Sequence, residues 1–325
     1  MIHRREFLRT SLAMAVADKA LAQSPADHFP SRPVRIVVPY GAGTSTDLSS
    51  RMLAEGLSKS WNVPVTVENV PAASGMVGTD MVAKLPPNGY NLVMVASNHI
   101  INPYLYKGMS FDALKDFTPI AMVGRTQIVM VVNSQSDILN IASLIKKAKA
   151  SPGKLNYGSA GNGSVGQLNM EQFKLDMAVS ITHIPYRAQG QALTDLMAGQ
   201  VDVALPALGV GLPLVRSGKL RAIGVVSTTR SPFAPEIPTV QEQTGRAMEG
   251  IAWWGLLGPK NLPADIVDTI NAAIQTQLQA PGNVERMRAQ GFEAVLGSPG
   301  EMAETMRNDF LRVGHIVKAA SIKID

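Results

Sequence analysis

Two short runs of glycine, serine and threonine hold the residues best suited to chemistry in this chain: Gly41-Ala42-Gly43-Thr44-Ser45-Thr46 and Ser159-Ala160-Gly161-Asn162-Gly163-Ser164. The first lies in VRIVVPYGAGTSTDLSSR, where Ile36-Val37-Val38 reads as a strand and Asp47 opens an amphipathic segment carrying Leu48, Met52, Leu53 and Leu57. A strand, a small-residue loop and a helix start in that order gather unpaired backbone N–H groups and the positive helix end around one small space, which suits an anion. This loop has no Lys, Arg or His, so recognition would fall to amides and hydroxyls.

Other chemistries are poorly served. The run after the first strand approaches G-x-G-x-x-G, but Thr46 stands where the third glycine belongs, and no G-K-[ST] or G-x-S-x-G occurs. His3, His28, His99, His183 and His315 lack zinc-ligand spacing, and no cysteine is present, so thiolate metal sites and disulfides are excluded. No cofactor and no metal are expected. A nucleotide-cofactor enzyme stays as the weaker alternative to simple binding of an anion.

The elements that position the two loops alternate. Strands at 34–38, 63–68 and 91–96 enclose helices at 47–60 and 76–85, a βαβαβ unit with a parallel sheet. Ligands sit beyond the carboxyl ends of such strands, so the loops at 40–46, 71–76 and 97–99 should converge. Residues 102–119 read as turn-rich. The apolar runs Ile120–Val123 and Ile128–Val132 read as a crossing into a second lobe built from helices at 141–150, 165–177, 190–198 and 209–216 and strands at 180–184, 201–205 and 221–226. EGIAWWGLLG, residues 249–258, reads as the crossing back, and helices at 263–279, 281–289 and 299–319 return to the first lobe. The expected division is 1–22 export signal, 23–124 first part of lobe 1, 125–247 lobe 2, and 248–325 second part of lobe 1.

Arg4-Arg5-Glu6-Phe7-Leu8, a short apolar stretch and Ala20-Leu21-Ala22 read as an export signal of twin-arginine type, with the Sec route as alternative and a periplasmic destination. Its loss takes the formal charge from +5 to +3. The remaining basic residues are scattered, which argues against nucleic acid. No other run reaches the ~18 apolar residues of a membrane span. With 46% hydrophobic residues over 325 positions, the chain can bury a core in each of two lobes.

The phrases FPSRPVRIVVPY, PVTVENVPAASGMVGTDMVAKLPPNGYNLVM, LNYGSAGNGS, HIPYRAQGQALTDLMAGQVDV, SGKLRAIGVVSTTRSP and WWGLLGP carry a resemblance over nearly everything from Phe29 onward. The chain resembles the Bug family, the periplasmic solute-binding proteins of tripartite tricarboxylate transporters. That resemblance implies an α/β, type II periplasmic-binding-protein (Venus flytrap) fold, two α/β lobes joined by crossing strands. It also implies a small carboxylate closed between the lobes and delivery to membrane permease subunits; a sensor domain is the alternative partner.

The loop reading and the resemblance together place Tyr40, Gly41, Gly43, Thr44, Ser45, Thr46, Asp47 and Ser97 in the lobe-1 half of the site; of the first loop, Gly43, Thr46 and Asp47 match the family, while Gly41, Thr44 and Ser45 depart from it. They place Ser159, Gly161, Asn162, Gly163, Ser164, Arg187, Ala188 and Pro206 in the lobe-2 half. The family's first loop usually reads V-P-Y-P-P-G-G-A-T-D; here VPYGAGTSTD lacks both prolines and gains the hydroxyls of Thr44 and Ser45. Members that take amino-bearing ligands carry an Asp near 206, where this chain has Ala204-Leu205-Pro206-Ala207. A plain, aromatic or di-carboxylate is therefore expected. Asp47 reads as a helix cap or holder of water, His99 as a structural histidine or pocket donor, Arg187 as an anion contact or a solvated side chain, and Trp253 and Trp254 as hinge packing.

Overall fold

The computed structural model describes residues 29–250 and 252–322; the expected export signal at 1–22 lies outside them. The first sheet forms around β1 (Val34–Val38), whose side chains Val34, Ile36, Val37 and Val38 are all fully buried. A strand covered on both faces needs no polar alternation. Ile36 and Val38 pack with Leu53 and Leu57 on one side of the sheet, and Val37 packs with Val82 and Val93 on the other. Each such side chain contributes about 1.5–3 kcal/mol of burial.

Six strands make this sheet, in the order β11-β4-β10-β3-β1-β2: β2 is Val65–Asn69, β3 Asn91–Ala96, β4 Phe117–Arg125, β10 Trp253–Pro259 and β11 Glu293–Ala294. The second sheet runs β7-β6-β8-β5-β9, with β5 Ile128–Asn133, β6 Asn156–Ser159, β7 Thr182–Pro185, β8 Val203–Ala204 and β9 Leu220–Val226. Each sheet has three parallel strands beside an antiparallel one: β10 lies against β3, and β5 against β8. In both cases the antiparallel neighbour is the strand that has just crossed from the other lobe.

Helices follow the strands. α1 is Ser45–Trp61, α2 Met76–Ala83, α3 Asn98–Leu105, α4 Ile141–Ala150, α5 Val165–Met177, α6 Gln189–Met197, α7 Leu208–Arg216, α8 Val240–Thr244, α9 Ala264–Gln279, α10 Pro281–Ala289 and α11 Pro299–Ala319. Two expectations need correction. α1 begins at Ser45, not at Asp47, because Thr44 is its N-cap and Asp47 occupies the first turn. Residues 97–99 are not a free loop but the start of α3, which runs through Pro103 in a stretch that read as turns.

The two crossings lie side by side: Thr126 N–H donates to Ala252 C=O at 3.0 Å. Ser97 ties β3 to the same joint, since its N–H donates to Trp253 C=O at 3.0 Å and its hydroxyl accepts from Trp253 N–H at 2.9 Å. Both indoles are buried and satisfied, Trp253 on Asp309 at 2.8 Å and Trp254 on Ser49 at 2.9 Å. The tryptophans are hinge and core packing. Gly124 permits this, because a Cβ there would lie 2.6 Å from the Trp254 ring.

Candidate functional site

The two small-residue loops fold into the same local structure. In lobe 1, Gly43 takes a left-handed φ of +80°, Thr44 caps α1 by accepting from Asp47 N–H at 3.4 Å, and the Asp47 carboxylate accepts from Gly43 N–H at 2.9 Å. In lobe 2, Gly163 takes φ +74°, Ser164 caps α5 by accepting from Gln167 N–H at 3.3 Å, and the Gln167 side-chain oxygen accepts from Gly163 N–H at 2.6 Å. Position three of the helix reaches back over its own cap, and a glycine supplies the backbone turn that an L side chain resists. Among the described residues, the N–H groups of Ser45 and Thr46, and of Val165 and Gly166, are left at the two helix heads without a hydrogen-bond partner.

The anchors differ. Asp47 is buried and also accepts from Arg51 at 3.0 Å and Asn69 at 3.0 Å. Burial alone would raise its pKa, but the hydrogen bonds from Arg51, Gly43 and Asn69 outweigh that and hold the carboxyl below its ordinary value. Gln167 is neutral, and its amide NH2 donates to His183 Nδ1 at 3.2 Å; the other ring nitrogen, Nε2, lies 2.6 Å from the Ser159 hydroxyl. Desolvation is the largest influence on His183 and depresses its pKa, Glu171 pulls it up, and Lys174 pushes it down.

A cavity of about 430 Å³ opens between the lobes. Lobe 2 lines it with Ala160, Asn162, Gly163, Ser164, Val165, Gly166, Gln189, Leu205 and Ala207; lobe 1 lines it with Ser74, Asn98, Asn102, Leu105 and Tyr106. None of the lining residues is charged. Asn98, Asn102 and Leu105 lie on one face of α3, so the side of this lobe-1 helix lines the cavity together with the α5 head. Ser74 and Tyr106 bond each other at 2.8 Å, and Asn102 donates to Ser74 C=O at 3.0 Å. The Gln189 NH2 in this wall is buried without a partner.

Of the residues expected in the site, the structure brings Asn162, Gly163 and Ser164 into this wall. Gly41, Gly43, Thr44, Ser45, Thr46 and Asp47 stand at the α1 head, outside it; Gly43 and Thr44 are exposed, and a Cβ on Gly41 or Gly43 would meet nothing within 4 Å. Tyr40 lies under Gly75, with its hydroxyl accepting from Ala96 N–H at 3.2 Å, and burial pushes its phenol up to about 12. Ser97 is spent on the hinge, and Ser159 on Gly161 and His183. Gly161, at φ +101°, passes close to Tyr186 C=O. Arg187 and Ala188 are exposed and stop one residue short of Gln189, while Pro206 is buried between the lining residues Leu205 and Ala207. His99 is buried, hydrogen-bonded to Ala113 C=O at 2.8 Å and flanked by Phe111 and Phe117, and burial lowers its pKa to about 4. It is structural.

Sequence reasoning placed Asn98 in the segment 97–99 expected to converge on the site, but did not single out Asn102, Tyr106 or Gln189. Asn102 and Tyr106 follow from recognising α3, which Pro103 conceals and Tyr106 caps; Gln189 had a signal, one place beyond Ala188. A second cavity of about 520 Å³ flanks the same crossings and is lined by Arg125, Gln127, Glu249, Glu301, Asp309 and Arg312 among others. It holds neither helix head and mixes paired charges, so the smaller, uncharged cavity is the candidate site. No group of His, Asp and Glu among the described residues could hold a metal, and no helix among them is long and apolar enough to cross a membrane.

Comparison with known proteins agrees with this architecture. The profile of the family described as Tripartite tricarboxylate transporter family receptor matches residues 49–322. Protein BugT of Bordetella pertussis is 32% identical over 301 residues, which cover 92% of each chain. An R. palustris protein solved with adipate superposes with a TM-score of 0.79 at 30% identity, over 91% of this chain and 100% of its own. MatC from Rhodopseudomonas palustris, solved with bound malate, gives 0.74 at 27% identity, over 89% and 100%.

Proposed function

We propose, from the premise that this chain belongs to the tripartite tricarboxylate transporter receptor family, that it is a periplasmic receptor which closes on a small carboxylate and hands it to membrane permease subunits. The family is one of receptors, so the enzyme alternative falls away. One observation carries the choice of ligand: the interlobe cavity is walled by a helix head, hydroxyls and amides with no charged residue. A carboxylate on the open N–H groups of Val165 and Gly166 forms charge-assisted hydrogen bonds with the positive helix end, and needs no counter-cation. An ammonium group would meet that same positive end without an acidic partner.

Relatives solved with adipate and with malate make a dicarboxylate the first class to test. In this reading the second acid group, or another polar end, takes the unpartnered amide of Gln189, whose orphaned NH2 gains a hydrogen bond only when ligand is present. In this reading the α1 head joins on closure through Ser45 and Thr46; the open space beside Gly41 and Gly43, where a Cβ would meet nothing within 4 Å, leaves room for it. Closure expels water and strengthens every contact in the lower dielectric, so ligand shifts the population toward the closed form.

A thermal-shift series of mono-, di- and aromatic carboxylic acids tests this. A ligand present at ~100 times its Kd adds about 2.7 kcal/mol of stability. Stabilisation by acids but not by their amides supports the reading; equal response to both, or to neither, overturns it.

A further inference from the structure

The lobe-2 loop is held by His183, whose two ring nitrogens face Gln167 and Ser159. The parallel register of β6 and β7 sets Tyr157 beside His183, and the two rings stack with centroids 4.7 Å apart. From there the imidazole spans the loop at both ends. Nδ1 faces the NH2 of Gln167, the residue whose oxygen fixes Gly163 N–H, and Nε2 faces Ser159, whose hydroxyl bonds both the N–H and the C=O of Gly161.

The proton positions follow from donor and acceptor counting. Gln167 Oε1 must accept from Gly163 N–H, so its NH2 points at His183 and Nδ1 must be an acceptor. Nε2 therefore carries the hydrogen and donates to Ser159 Oγ. That oxygen also accepts from Gly161 N–H, and its own hydrogen goes to Gly161 C=O, so each group in the chain is satisfied. A second proton, on Nδ1, would point at the Gln167 NH2 across 3.2 Å. Rotating the Gln167 amide only moves the conflict, because the NH2 would then oppose Gly163 N–H. The other ionisable groups packed around the ring are Glu171 and Lys174 on α5, paired with each other at 2.8 Å, and Tyr157 on β6, which donates to Glu171 at 2.6 Å. Glu171 favours charge on the ring and Lys174 opposes it, and none of the three offers Nδ1–H a partner.

We propose that His183 is a positioning residue: in its neutral Nε2–H form it latches residues 159–164 in the shape that presents the α5 head, and its protonation unlatches them. The proposal rests on the carboxylate-receptor reading for its consequence, which is weaker ligand retention in acid, but the latch itself is a property of the ligand-free chain. Partial burial of the ring and its lowered pKa fit the neutral form.

Amide exchange of the ligand-free full chain, read by NMR as protection relative to an unstructured reference from pH 8 to pH 5, tests the latch. Gly163 and Gly161 are expected to lose at least tenfold in protection in step with the His183 imidazole titration in the same sample, while Gly43 stays level. A level Gly163 profile, a step at a different pH from that titration, or an Nδ1–H tautomer at pH 8 would overturn it. His183→Asn, whose side-chain oxygen still accepts from Gln167 and cannot be protonated, should abolish the step. With adipate as probe, the Kd should rise about tenfold or more on acidification in the wild type beyond any rise in His183→Asn, which carries the ligand's own ionisation. A rise of the same size in both proteins refutes the latch. Exchange that behaves as expected with no acid binding at any pH keeps the latch and refutes the receptor reading.

Discussion

The head of α1 and the head of α5 are built to one pattern and fastened by different chemistry. Each has a left-handed glycine, a hydroxyl cap and a third-position side chain reaching back to the glycine N–H. In lobe 1 that side chain is a buried carboxylate held by Arg51 and Asn69. In lobe 2 it is an amide held by a histidine. A carboxylate anchor repels an incoming anion unless its charge is offset, which Arg51 does from a half-exposed position. A neutral anchor presents the helix end undiminished. On the proposed reading the α5 head is the stronger anion site and the α1 head the sturdier scaffold, and of the two anchors only that of the α5 head is bonded to a histidine, whose pKa is held below its ordinary value.

The sharpest break in this comparison is Asp47→Ala. It strips Gly43, Arg51 and Asn69 of a shared buried acceptor and should cost about 3 kcal/mol in urea unfolding, since removing one member of a buried charged network leaves the others uncompensated. Gln167→Ala loses a neutral acceptor and should cost only about 1–2 kcal/mol; equal costs would erase the distinction between anchors. In ligand affinity the order reverses: Gln167→Glu sets a negative charge under the α5 head and should weaken carboxylate binding about tenfold at pH 8, as calorimetry would show, while Asp47→Asn should change it little.

Acid sharpens the comparison further. The folded-state pKa values of His183 and His99 are depressed, so each contributes stability that is whole above the ordinary histidine value of ~6.5 and is lost as pH falls. For His99 the loss continues down to about 4. Asp47, also depressed, contributes stability that is present above ~3.9 and lost only below it. Melting temperatures between pH 7.5 and pH 5 should therefore fall, by less in His183→Asn than in the wild type. Among the variants expected to weaken binding, the smaller effect comes from Ser45→Ala, which removes one hydroxyl from the α1 head and should weaken binding about fivefold, roughly 1 kcal/mol.

Much of this was legible in the residues. Ile36-Val37-Val38 followed by glycine, threonine and serine announces a strand, a loop and a helix start, and LNYGSAGNGS announces the second. The alternation of elements and the two apolar crossings were equally open, because buried parallel strands read as unbroken β-branched runs. Three features stayed hidden for physical reasons. α3 carries Pro103 and looks like turns, so Asn102 went unnoticed as a wall residue and Asn98 was read as part of a loop. Ser97 is engaged by Trp253, a partner 156 positions away, which spacing cannot show. The link from His183 to Gln167 and Ser159 exists only because β6 and β7 pair in one register. Charge-free loops advertise themselves; what holds them does not.

The central claim is that an acid group is gripped by main-chain amides of helix heads, with no cation in the first layer of contacts. A crystal structure of the chain grown with adipate tests it directly. The account predicts carboxylate oxygens within hydrogen-bond distance of Val165 and Gly166 N–H, the far end on Gln189, and no Lys, Arg or His side chain against the ligand. A carboxylate paired with Arg187, Arg125 or any other cation, or lodged in the cavity beside Glu249 and Arg312, would contradict it.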